Sequence, residues 1–485
     1  MGVPRVLRLI RGMLRVQHAD RDAVRRLQDR RLRALLRYAR ERSPFYRCLY
    51  RGIDLGTCAL GDLPVVTKQQ MMDHFDDVVT DRRVTRTAVD AWLADKDNLG
   101  RMYRRRFIPF RTSGTTGENA IMVYDRAALD TAHAAAIARR ALPRPLTGRE
   151  QLGILGRLLI RRVRFAFILM TGGAYPSVTL ARYAPPLHRL FVNDRILSIL
   201  DPLDRIVAQL NDFQPDSVCA YPSVLAELAR EQLAGRLDIR FGTAISRVIS
   251  LSEPLSGATR ALVKRAWGMD VQDAYGTSEC LVMATSCSRF DGMHVMSDLC
   301  ILEVVDRDRR PVPDGHTGEK VLVTNLFNRA QPLIRYEITD VTGYATEPCD
   351  CGMPFPRLLP IEGRTGDIFY VDRPGGGYEA IHPYFFLAPI CQIDGVREYQ
   401  LVQTARNAIT FNYVPVRNDA SLDAAVRRVL EAGLTDASLA GRVTLTVGRV
   451  DAIPRDERSG KFRQIVSAVG PPPDLVGADA RAVRR

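Results

Sequence analysis

The chain has 485 residues, of which 46% are hydrophobic and 26% are charged, and its formal net charge at pH 7 is +14. This length exceeds what one compact core normally holds, and the composition excludes wholesale disorder, so two or more folded domains are expected. No run of 18 apolar residues is free of charge, and the N-terminus lacks an uninterrupted apolar stretch. These features exclude a transmembrane helix and a secretory signal and predict a cytoplasmic location.

Arginine dominates the charge of the first forty residues. Such a basic segment has two interpretations. It is either a solvated surface or a surface that attracts an anionic partner, such as a nucleotide, coenzyme A, a carrier protein or a membrane face. No basic run is interleaved with stacking aromatic residues, so nucleic-acid binding is not expected.

Helical and strand-like patterns alternate through the first part of the chain. Residues 20–42 carry leucines at helical spacing and predict a long helix that ends near Pro44. Further along, apolar runs predict strands at 165–170, 217–220 and 248–251, and amphipathic runs predict helices at 202–210, 223–233 and 256–267. Strands that alternate with helices indicate an α/β layered domain.

Two β-rich patterns follow. Residues 300–306 and 320–325 predict a strand pair. After Gly363, two strands flank a glycine-rich turn at 373–377, and strand, helix and strand patterns then run to residue 450. We therefore predict a large multi-layer N-terminal α/β domain over residues 1–363, a small mobile C-terminal α+β lid over 364–470, and a disordered tail over 471–485.

A short loop rich in hydroxyl groups and glycine is the first chemical signal. Its glycines let the backbone approach an anion closely, and its hydroxyls can donate to phosphate oxygens. It is not a Walker A loop, because the Gly-Lys-Ser/Thr sequence is missing. The loop consists of Thr112, Ser113, Gly114, Thr115, Thr116 and Gly117.

Further motifs follow the loop in order. They are Ser-Glu-Pro at 252–254, Asp-Ala-Tyr-Gly-Thr-Ser-Glu at 273–279, Pro-Leu-Ile-Arg-Tyr at 332–336, Glu-Gly-Arg-Thr-Gly-Asp at 362–367 and Arg-Ser-Gly-Lys at 458–461. Together these motifs resemble the adenylate-forming superfamily of acyl-CoA synthetases and luciferases, and within it the phenylacetate–CoA ligase branch. Segments 221–225, 252–254 and 331–336 are similar to a subgroup related to synthetases that adenylylate a deazaflavin coenzyme. The resemblance covers about residues 25–465 and implies the adenylate-forming fold.

The resemblance implies a nucleotide site for ATP. The loop 112–117 is expected to hold the β- and γ-phosphates. Tyr275 is expected to stack on adenine beside Gly276, and Glu253 and Pro254 are expected to line that pocket. For the acid substrate, the resemblance implies a pocket lined by Tyr221, Ser223 and Ala274.

The resemblance also implies the groups that act on the phosphates. Ser278 is expected to contact the α-phosphate, and Glu279 is expected to bind Mg²⁺, a hard cation that suits carboxylate and phosphate oxygens. Asp340 is expected to accept hydrogen bonds from the ribose hydroxyls, assisted by Arg364. Lys461 is expected to stabilise the negative charge that develops between the α-phosphate and the attacking oxygen.

The resemblance places a hinge at residues 363–367, where the family rotates its C-terminal domain between two half-reactions. Three positions depart from the family pattern: Glu118-Asn119 follows the phosphate loop, Gly366 stands at the hinge, and residues 380–384 replace a glycine-rich stretch that lets pantetheine pass. The last departure keeps reactions without a thiol acceptor open.

A set of thiols and one imidazole indicates a zinc site. The nine cysteines of the chain are an odd number and do not indicate a disulfide framework. Cys287 and His294 have C-x₆-H spacing, and Cys349 and Cys351 have C-x-C spacing, which suits a structural tetrahedral Zn²⁺. Free buried cysteines are the alternative, and Cys280 and Cys300 are competing ligands.

The predicted function is ATP-dependent activation of a carboxylic acid, by family habit an aromatic one, as its acyl-AMP. Thioester formation on coenzyme A or on a carrier phosphopantetheine is the favoured second step. AMP transfer to a hydroxyl group, and a non-catalytic nucleotide-binding protein, are the alternatives. The identity of the acid is not determined, and a homodimer is one candidate assembly.

Overall fold

The computed structural model describes a defined part of the chain. It covers residues 3–112, 120–141, 162–171, 174–183, 186–242, 246–252, 255, 257–287, 289–290, 292–306, 308–318, 320–361, 369–381, 393, 395–415, 419, 421–436, 438–453 and 465–469. The predicted hinge and the predicted C-terminal tail therefore lie outside the described residues. Among the described helices, none is both long enough and apolar enough to cross a membrane.

Helices form the N-terminal part of the fold. They are α1 (Val3–Gln17), α2 (Arg21–Arg42), α3 (Pro44–Leu49), α4 (Lys68–Asp73), α5 (Phe75–Val78) and α6 (Arg86–Ala94), with 3₁₀ turns at Leu60–Asp62 and Lys96–Asn98. The helix predicted at 20–42 is confirmed as α2. It begins where the Asp20 carboxylate accepts the Ala23 N–H, and it buries Leu32, Leu35 and Leu36.

A β-hairpin follows, formed by the antiparallel strands β1 (Phe107–Arg111) and β2 (Ile121–Asp125). Four of the five residues in each strand are buried, because both faces of the hairpin are covered. α7 (Arg126–Ala135) begins directly after β2 and continues as a π-helical segment, Ala136–Ala141. The loop between β1 and β2 is the hydroxyl-rich loop of the sequence.

An eight-stranded sheet is the centre of the large unit, with the strand order β15-β9-β8-β7-β6-β5-β3-β4. Its parallel strands are β3 (Val163–Leu169), β4 (Val192–Ser198), β5 (Ser217–Ala220), β6 (Arg247–Leu251) and β7 (Val271–Tyr275). Its antiparallel extension is β8 (Ala284–Ser286), β9 (Met293–Val295) and β15 (Arg357–Leu358). The carboxyl ends of the parallel strands meet at one edge, where ligands bind in open α/β sheets.

Helices connect the parallel strands and confirm the predicted α/β layering. They are α8 (Pro176–Arg182), α9 (Pro186–Phe191), α10 (Leu203–Phe213), α11 (Pro222–Leu233) and α12 (Gly257–Trp267). One face of the sheet packs with α10 to α12 in a single apolar core, to which Ile168, Val218, Val248 and Leu225 contribute. The opposite face carries a smaller apolar cluster, described below.

Smaller sheets follow the central one. β10 (Cys300–Val305), β12 (Lys320–Asn325) and β13 (Tyr336–Ile338) form an antiparallel sheet, and β11 (Thr317–Gly318) pairs with β14 (Thr342–Gly343). The strand pair predicted at 300–306 and 320–325 is thus confirmed. Asn325 and Asp340, which matter below, stand at the end of β12 and shortly after β13.

The C-terminal unit has its own core. A hairpin of β16 (Phe369–Asp372) and β17 (Tyr378–Ile381) packs on a four-stranded sheet, β20-β19-β18-β21, and on one helix. The remaining bounds are β18 (Val396–Ala405), β19 (Ala408–Pro415), α13 (Ser421–Asp436), β20 (Thr444–Arg449) and β21 (Ile465–Ser467). This unit matches the predicted small α+β domain in its elements.

Candidate active site and metal cluster

Predicted substrate residues line the carboxyl edge of the central sheet. Tyr221 directly follows β5, is buried, and accepts the backbone N–H of Met170 through its hydroxyl at 3.3 Å. Ala274 is the penultimate residue of β7 and is also buried. Ser223 lies in the first turn of α11, and its side chain is outside the described part of the chain.

Tyr275 and Asp340, the predicted adenine and ribose residues, are in direct contact. The Tyr275 hydroxyl donates to Oδ2 of Asp340 at 2.6 Å, and both residues are largely buried. A phenol bonded to a carboxylate at this distance is a charge-assisted hydrogen bond, which fixes both side chains. The 65 residues between them therefore fold so that these two side chains meet at the sheet edge.

The loop after β7 carries Glu279, the predicted magnesium ligand. The Tyr124 hydroxyl donates to the backbone carbonyls of Ser278, at 3.1 Å, and Glu279, at 2.8 Å. The Asn325 side-chain amide donates to the Glu279 carbonyl at 2.9 Å and to the Tyr124 hydroxyl at 3.2 Å. Three bonds from buried side chains thus hold the backbone on which the half-buried Glu279 side chain stands.

A buried phenol lies within electrostatic range of Glu279. Burial raises the pKa of Tyr336 far above its usual value, and the negative charge of Glu279 adds to this effect. The Tyr336 hydroxyl has no hydrogen-bond partner among the described residues. A buried polar atom without a partner commonly marks a place for a ligand or a water molecule.

Gly276 lets the backbone after Tyr275 approach the Leu281 carbonyl closely. A Cβ at this position would stand 2.4 Å from the carbonyl oxygen of Leu281, well inside contact distance. We expect Gly276→Ala to displace the loop and to lower the free energy of unfolding by about 1–3 kcal/mol, as overpacking does elsewhere. Thermal unfolding measures this loss.

Gly61→Ala is the matched control for that variant, because a Cβ at Gly61 meets no atom within 4 Å. The control is expected to unfold at the wild-type temperature. If Gly276→Ala also unfolded at that temperature, the close approach to Leu281 would not be what restricts this position to glycine.

The hairpin that carries the hydroxyl-rich loop adjoins the Glu279 loop. Thr112 and Ala120 close the base of that loop: Thr112 N–H donates to the Ala120 carbonyl at 2.8 Å, and the Thr112 hydroxyl accepts the Ala120 N–H at 2.9 Å. Tyr124, which holds the Glu279 loop, lies on β2 of the same hairpin. The hairpin that carries Thr112 therefore also holds the backbone of the Glu279 loop.

Several predicted site residues lie outside the described residues, and their roles stay predictions. They are Ser113, Gly114, Thr115, Thr116, Gly117, Glu253, Pro254, Arg364 and Lys461.

An apolar cluster lies on the face of the central sheet opposite α10 to α12. Ala274 packs there with Cys219 and Ile249, and Phe165, Phe167 and Leu251 pack against this group. The rings of Phe165 and Phe167 are 4.5 Å apart, centroid to centroid. Alternate residues of a strand point to the same face of the sheet, so these side chains from neighbouring strands lie on one face. The predicted substrate residue Ala274 belongs to this group.

The predicted thiol and imidazole ligands converge. The ligand atoms of Cys287, His294, Cys349 and Cys351 all lie within 4.8 Å of one another. The Sγ atoms of Cys287 and Cys349 are 3.7 Å apart, and Sγ of Cys351 is 3.4 Å from Nε2 of His294. Ligands at normal zinc bond lengths in a tetrahedron stand about 3.8 Å apart for two sulfurs and about 3.5 Å for sulfur and nitrogen. The donor set therefore fits this ion.

Hydrogen bonds from neighbouring backbone groups orient the donor atoms of the cluster. Nδ1 of His294 donates to the Phe355 carbonyl at 2.9 Å, which leaves Nε2 as the ligand atom. Backbone N–H groups of Arg289 and Met353 point at the sulfurs of Cys287 and Cys351, both at 3.4 Å. Without a metal, burial raises the pKa of both thiols, that of Cys351 to about 12.

Cys280 and Cys300, the competing ligands, lie elsewhere. Their thiols are fully buried and interact with each other. The Cys280 thiol donates to the Val282 carbonyl and the Cys300 thiol to the Met283 and Met296 carbonyls. Among the described residues, the Cys/His group that could hold a metal ion is thus the one that the sequence spacing predicts.

Sequence reasoning missed the residues that support the site. Tyr124 and Asn325 hold the Glu279 loop through its backbone, and Phe355 orients His294. No motif contains them, because a bond to a backbone carbonyl can be made by many side chains. The signal of Tyr124 and Asn325 in the sequence is a polar side chain in or at the end of an otherwise apolar strand, whereas Phe355 acts through its backbone carbonyl and has no such signal.

No protein-family profile matches the chain. The chain is 27% identical to a phenylacetate–coenzyme A ligase of Thermus thermophilus over 364 residues, which are 72% of each protein. Its fold matches that of a 2-hydroxyisobutyryl-CoA ligase bound to 2-HIB-AMP and CoA in the thioesterification state. That match has a TM-score of 0.59 and 21% identity and covers 97% of this chain and 94% of the other.

The same ligase in its postadenylation state, in complex with R3-HIB-AMP, matches with a TM-score of 0.51 and 21% identity, over 94% of this chain and 91% of the other. These comparisons confirm the predicted resemblance to the phenylacetate–CoA ligase branch and the predicted adenylate-forming fold. The finer likeness to the deazaflavin-related subgroup stays a prediction.

Proposed function

We propose that this protein is an ATP-dependent acid–thiol ligase that activates a carboxylic acid as its acyl-AMP and transfers the acyl group to coenzyme A. One observation carries the proposal. Tyr275 is bonded to Asp340 at the carboxyl edge of the sheet, and the next loop presents Glu279 beside the hairpin of the hydroxyl-rich loop. The first step is attack of the acid's carboxylate oxygen on the α-phosphorus of ATP, with pyrophosphate as the leaving group.

Each residue near this edge has a proposed task. The Tyr275 ring lies against adenine, and the Asp340 carboxylate accepts hydrogen bonds from the ribose hydroxyls. Glu279 holds Mg²⁺, which would neutralise charge on the triphosphate. Thr112 and the loop it opens, with Ser278, donate to phosphate oxygens, while Lys461 and Arg364 complete the site from the predicted lid side.

The Tyr336 hydroxyl, which has no partner within the described ranges, supports a polar ligand near Glu279, because a buried donor of this kind is costly without a partner. We infer that it donates toward the bound phosphates or toward water on the metal. It is an addition to the residues that the motifs alone suggest.

We propose an apolar, aromatic acid as the substrate. The cluster of Ala274, Cys219 and Ile249, with Phe165 and Phe167 beside it, offers apolar surface next to the sheet edge. Tyr221 stands at the same edge, with its hydroxyl directed at the Met170 backbone. Phenylacetate, the acid named for the relatives, fits this environment and is the first compound to test.

We propose a structural zinc at Cys287, His294, Cys349 and Cys351. The ion would provide a fixed crosslink between the segment after Glu279 and the segment that leads to the C-terminal unit. All four donors are protein ligands, so no coordination position is left for a substrate, as is typical of structural sites.

The decisive experiment measures each step with the purified protein, ATP, Mg²⁺ and phenylacetate. Release of pyrophosphate that depends on the acid, followed by a phenylacetyl-CoA thioester after addition of coenzyme A, is the expected result. Mass spectrometry identifies both the adenylate and the thioester. An adenylyl ester of a hydroxyl compound, formed with no use of coenzyme A, would instead identify an AMP transferase. A homodimer, a carrier-protein acceptor and a cytoplasmic location stay predictions.

A further inference from the structure

An arginine of the C-terminal unit reaches into the large unit. Arg373 begins the glycine-rich turn between β16 and β17, and its Nη2 lies 2.6 Å from Oε2 of Glu227 on α11. Its Nη1 lies 3.7 Å from Oε1 of Glu231, one helical turn further on. α11 is the helix that begins at the carboxyl edge of the sheet, directly after Tyr221. These two ion pairs therefore link the small unit to an element of the candidate active site.

The turn that carries Arg373 is fixed to the rest of the C-terminal unit. Arg373 N–H donates to the Gly377 carbonyl at 3.0 Å, which closes the turn. Arg442, before β20, donates to the Asp372 carbonyl at 3.0 Å and pairs with Glu379 at 2.9 Å. The Arg373 guanidinium is therefore fixed relative to the C-terminal unit, and a movement of that unit would move it.

The two carboxylates are almost completely buried, with side chains 8% exposed for Glu227 and 7% for Glu231. An ion pair in such a place is stronger than one on the surface, because water screens it less. Glu227 also pairs with Arg230 at 3.2 Å, and Glu231 pairs with Arg236 at 2.5 Å. Each carboxylate thus keeps a cationic partner within the large unit when Arg373 leaves, so the link can open without leaving a buried charge alone.

Apolar packing accompanies the ion pairs. Leu200, which follows β4 at the same sheet edge, packs against the core of the C-terminal unit. The two ion pairs of Arg373 and this apolar contact both join the C-terminal unit to the large unit. A contact of this kind suits units that change their relative position during a reaction cycle.

We propose that Arg373, with Glu227 and Glu231, is a positioning clasp that holds the C-terminal unit in the pose for the thiol-transfer step. The inference rests on the proposed function. It is supported by the match to the thioesterification state, which covers 97% of the chain with a TM-score of 0.59, against 94% and 0.51 for the postadenylation state of the same ligase. Arg373 contacts no reacting atom of the proposed reaction. It acts by setting where the C-terminal unit stands.

The test separates the two half-reactions in the Arg373→Ala variant. We expect thioester formation from preformed adenylate to fall about tenfold, since a charge-assisted ion pair is lost. Acid-dependent pyrophosphate release is expected to stay within about twofold of the wild-type rate, because that step uses another pose. Arg373→Lys keeps the positive charge but lacks the guanidinium group that can bind two carboxylates at once. It is expected to restore part of the lost rate of thioester formation.

Arg427→Ala is the matched control. Arg427 belongs to the same unit and loses the same charge, but its partner Glu431 lies on its own helix, α13. The control is expected to leave both steps unchanged. Glu227→Gln combined with Arg373→Ala is expected to slow thioester formation no more than Arg373→Ala alone, since the Arg373–Glu227 pair is already lost in the single variant.

Amide hydrogen exchange gives a readout that does not depend on activity. In Arg373→Ala, and not in Arg427→Ala, exchange is expected to increase in α11 and in the β16–β17 hairpin. Equal slowing of both half-reactions, or unchanged exchange in these two elements, would overturn the clasp. A wild-type protein that forms no adenylate would overturn the proposed function instead, while the exchange measurement would still decide whether the clasp exists.

Discussion

Cys287→Ser is expected to lose bound zinc and to lower the free energy of unfolding by several kcal/mol. The four donors lie within 4.8 Å of one another, so serine in place of one sulfur removes a ligand from a set that has no spare member among the described residues. Structural zinc sites have apparent binding free energies on the order of 10 kcal/mol, and part of that is folding free energy. Metal analysis of the purified protein and thermal unfolding measure both effects.

Cys48→Ser is the matched control, because Cys48 is an exposed thiol outside the cluster. It is expected to keep one zinc per chain and the wild-type unfolding temperature. A wild-type protein that is purified without metal, and whose unfolding temperature does not change with a strong chelator or with added zinc, would contradict the assignment.

The same cluster predicts a direction for the effect of pH. Without metal, burial raises the pKa of Cys287 and Cys351, so both are protonated thiols at neutral pH. Zinc binds thiolates, and its binding must therefore displace these protons. The stabilisation by zinc is expected to be present at higher pH and to be lost as the pH falls, and a chelator titration at several pH values would show this.

Local patterns were sufficient to predict much of the fold. α2 begins and ends within one residue of its predicted bounds, because an N-capping aspartate and periodic leucines both lie within the segment itself. The β16–β17 hairpin follows from its glycine-rich turn in the same way. The pairing of β10 with β12 was predictable because both runs are apolar and adjacent in the sequence.

Contacts between distant residues were less predictable. The Cys/His cluster proposed for zinc could be predicted because cysteine and histidine are rare in this chain and few residue types offer sulfur or imidazole ligands. The bond from Tyr124 to the Glu279 carbonyl spans 155 residues, and the pair of Arg373 with Glu227 spans 146. Arginine and glutamate are common here, so no spacing separates this pair from the many surface charges. Only the folded chain shows which of them are buried together.

In the candidate active site, too, some features were predictable from the sequence and others were not. Motifs suggested Tyr275, Asp340 and Glu279, and the structure places the first two in contact and the third on the adjoining loop. Tyr336, whose hydroxyl has no partner in the described part of the chain, belonged to a motif but had no expected task, since its burial near Glu279 depends on the packing of β13. The residue types therefore indicated the chemistry of the candidate site. The distances between these residues depend on packing between segments that are far apart in the sequence.

Glu279→Gln is expected to reduce acid-dependent pyrophosphate release by at least about 100-fold, a loss typical when one group that stabilises transition-state charge is removed. The amide has nearly the same shape, and the hydrogen bonds from Tyr124 and Asn325 go to the backbone carbonyl of this residue, which the substitution keeps. The loop should therefore keep its position while the proposed ligand loses its charge. Pyrophosphate release measured against Mg²⁺ concentration tests this, and higher Mg²⁺ is expected to restore part of the rate.

Glu41→Gln removes the same charge from an exposed position of α2 and is expected to behave as the wild type. Thermal unfolding of both variants separates a lost ligand from a damaged fold. Unchanged release by Glu279→Gln at low Mg²⁺ would exclude this carboxylate as the metal ligand. It would leave the Tyr275–Asp340 contact as a nucleotide pocket whose metal is held elsewhere, because that contact is made by side chains that the substitution does not touch.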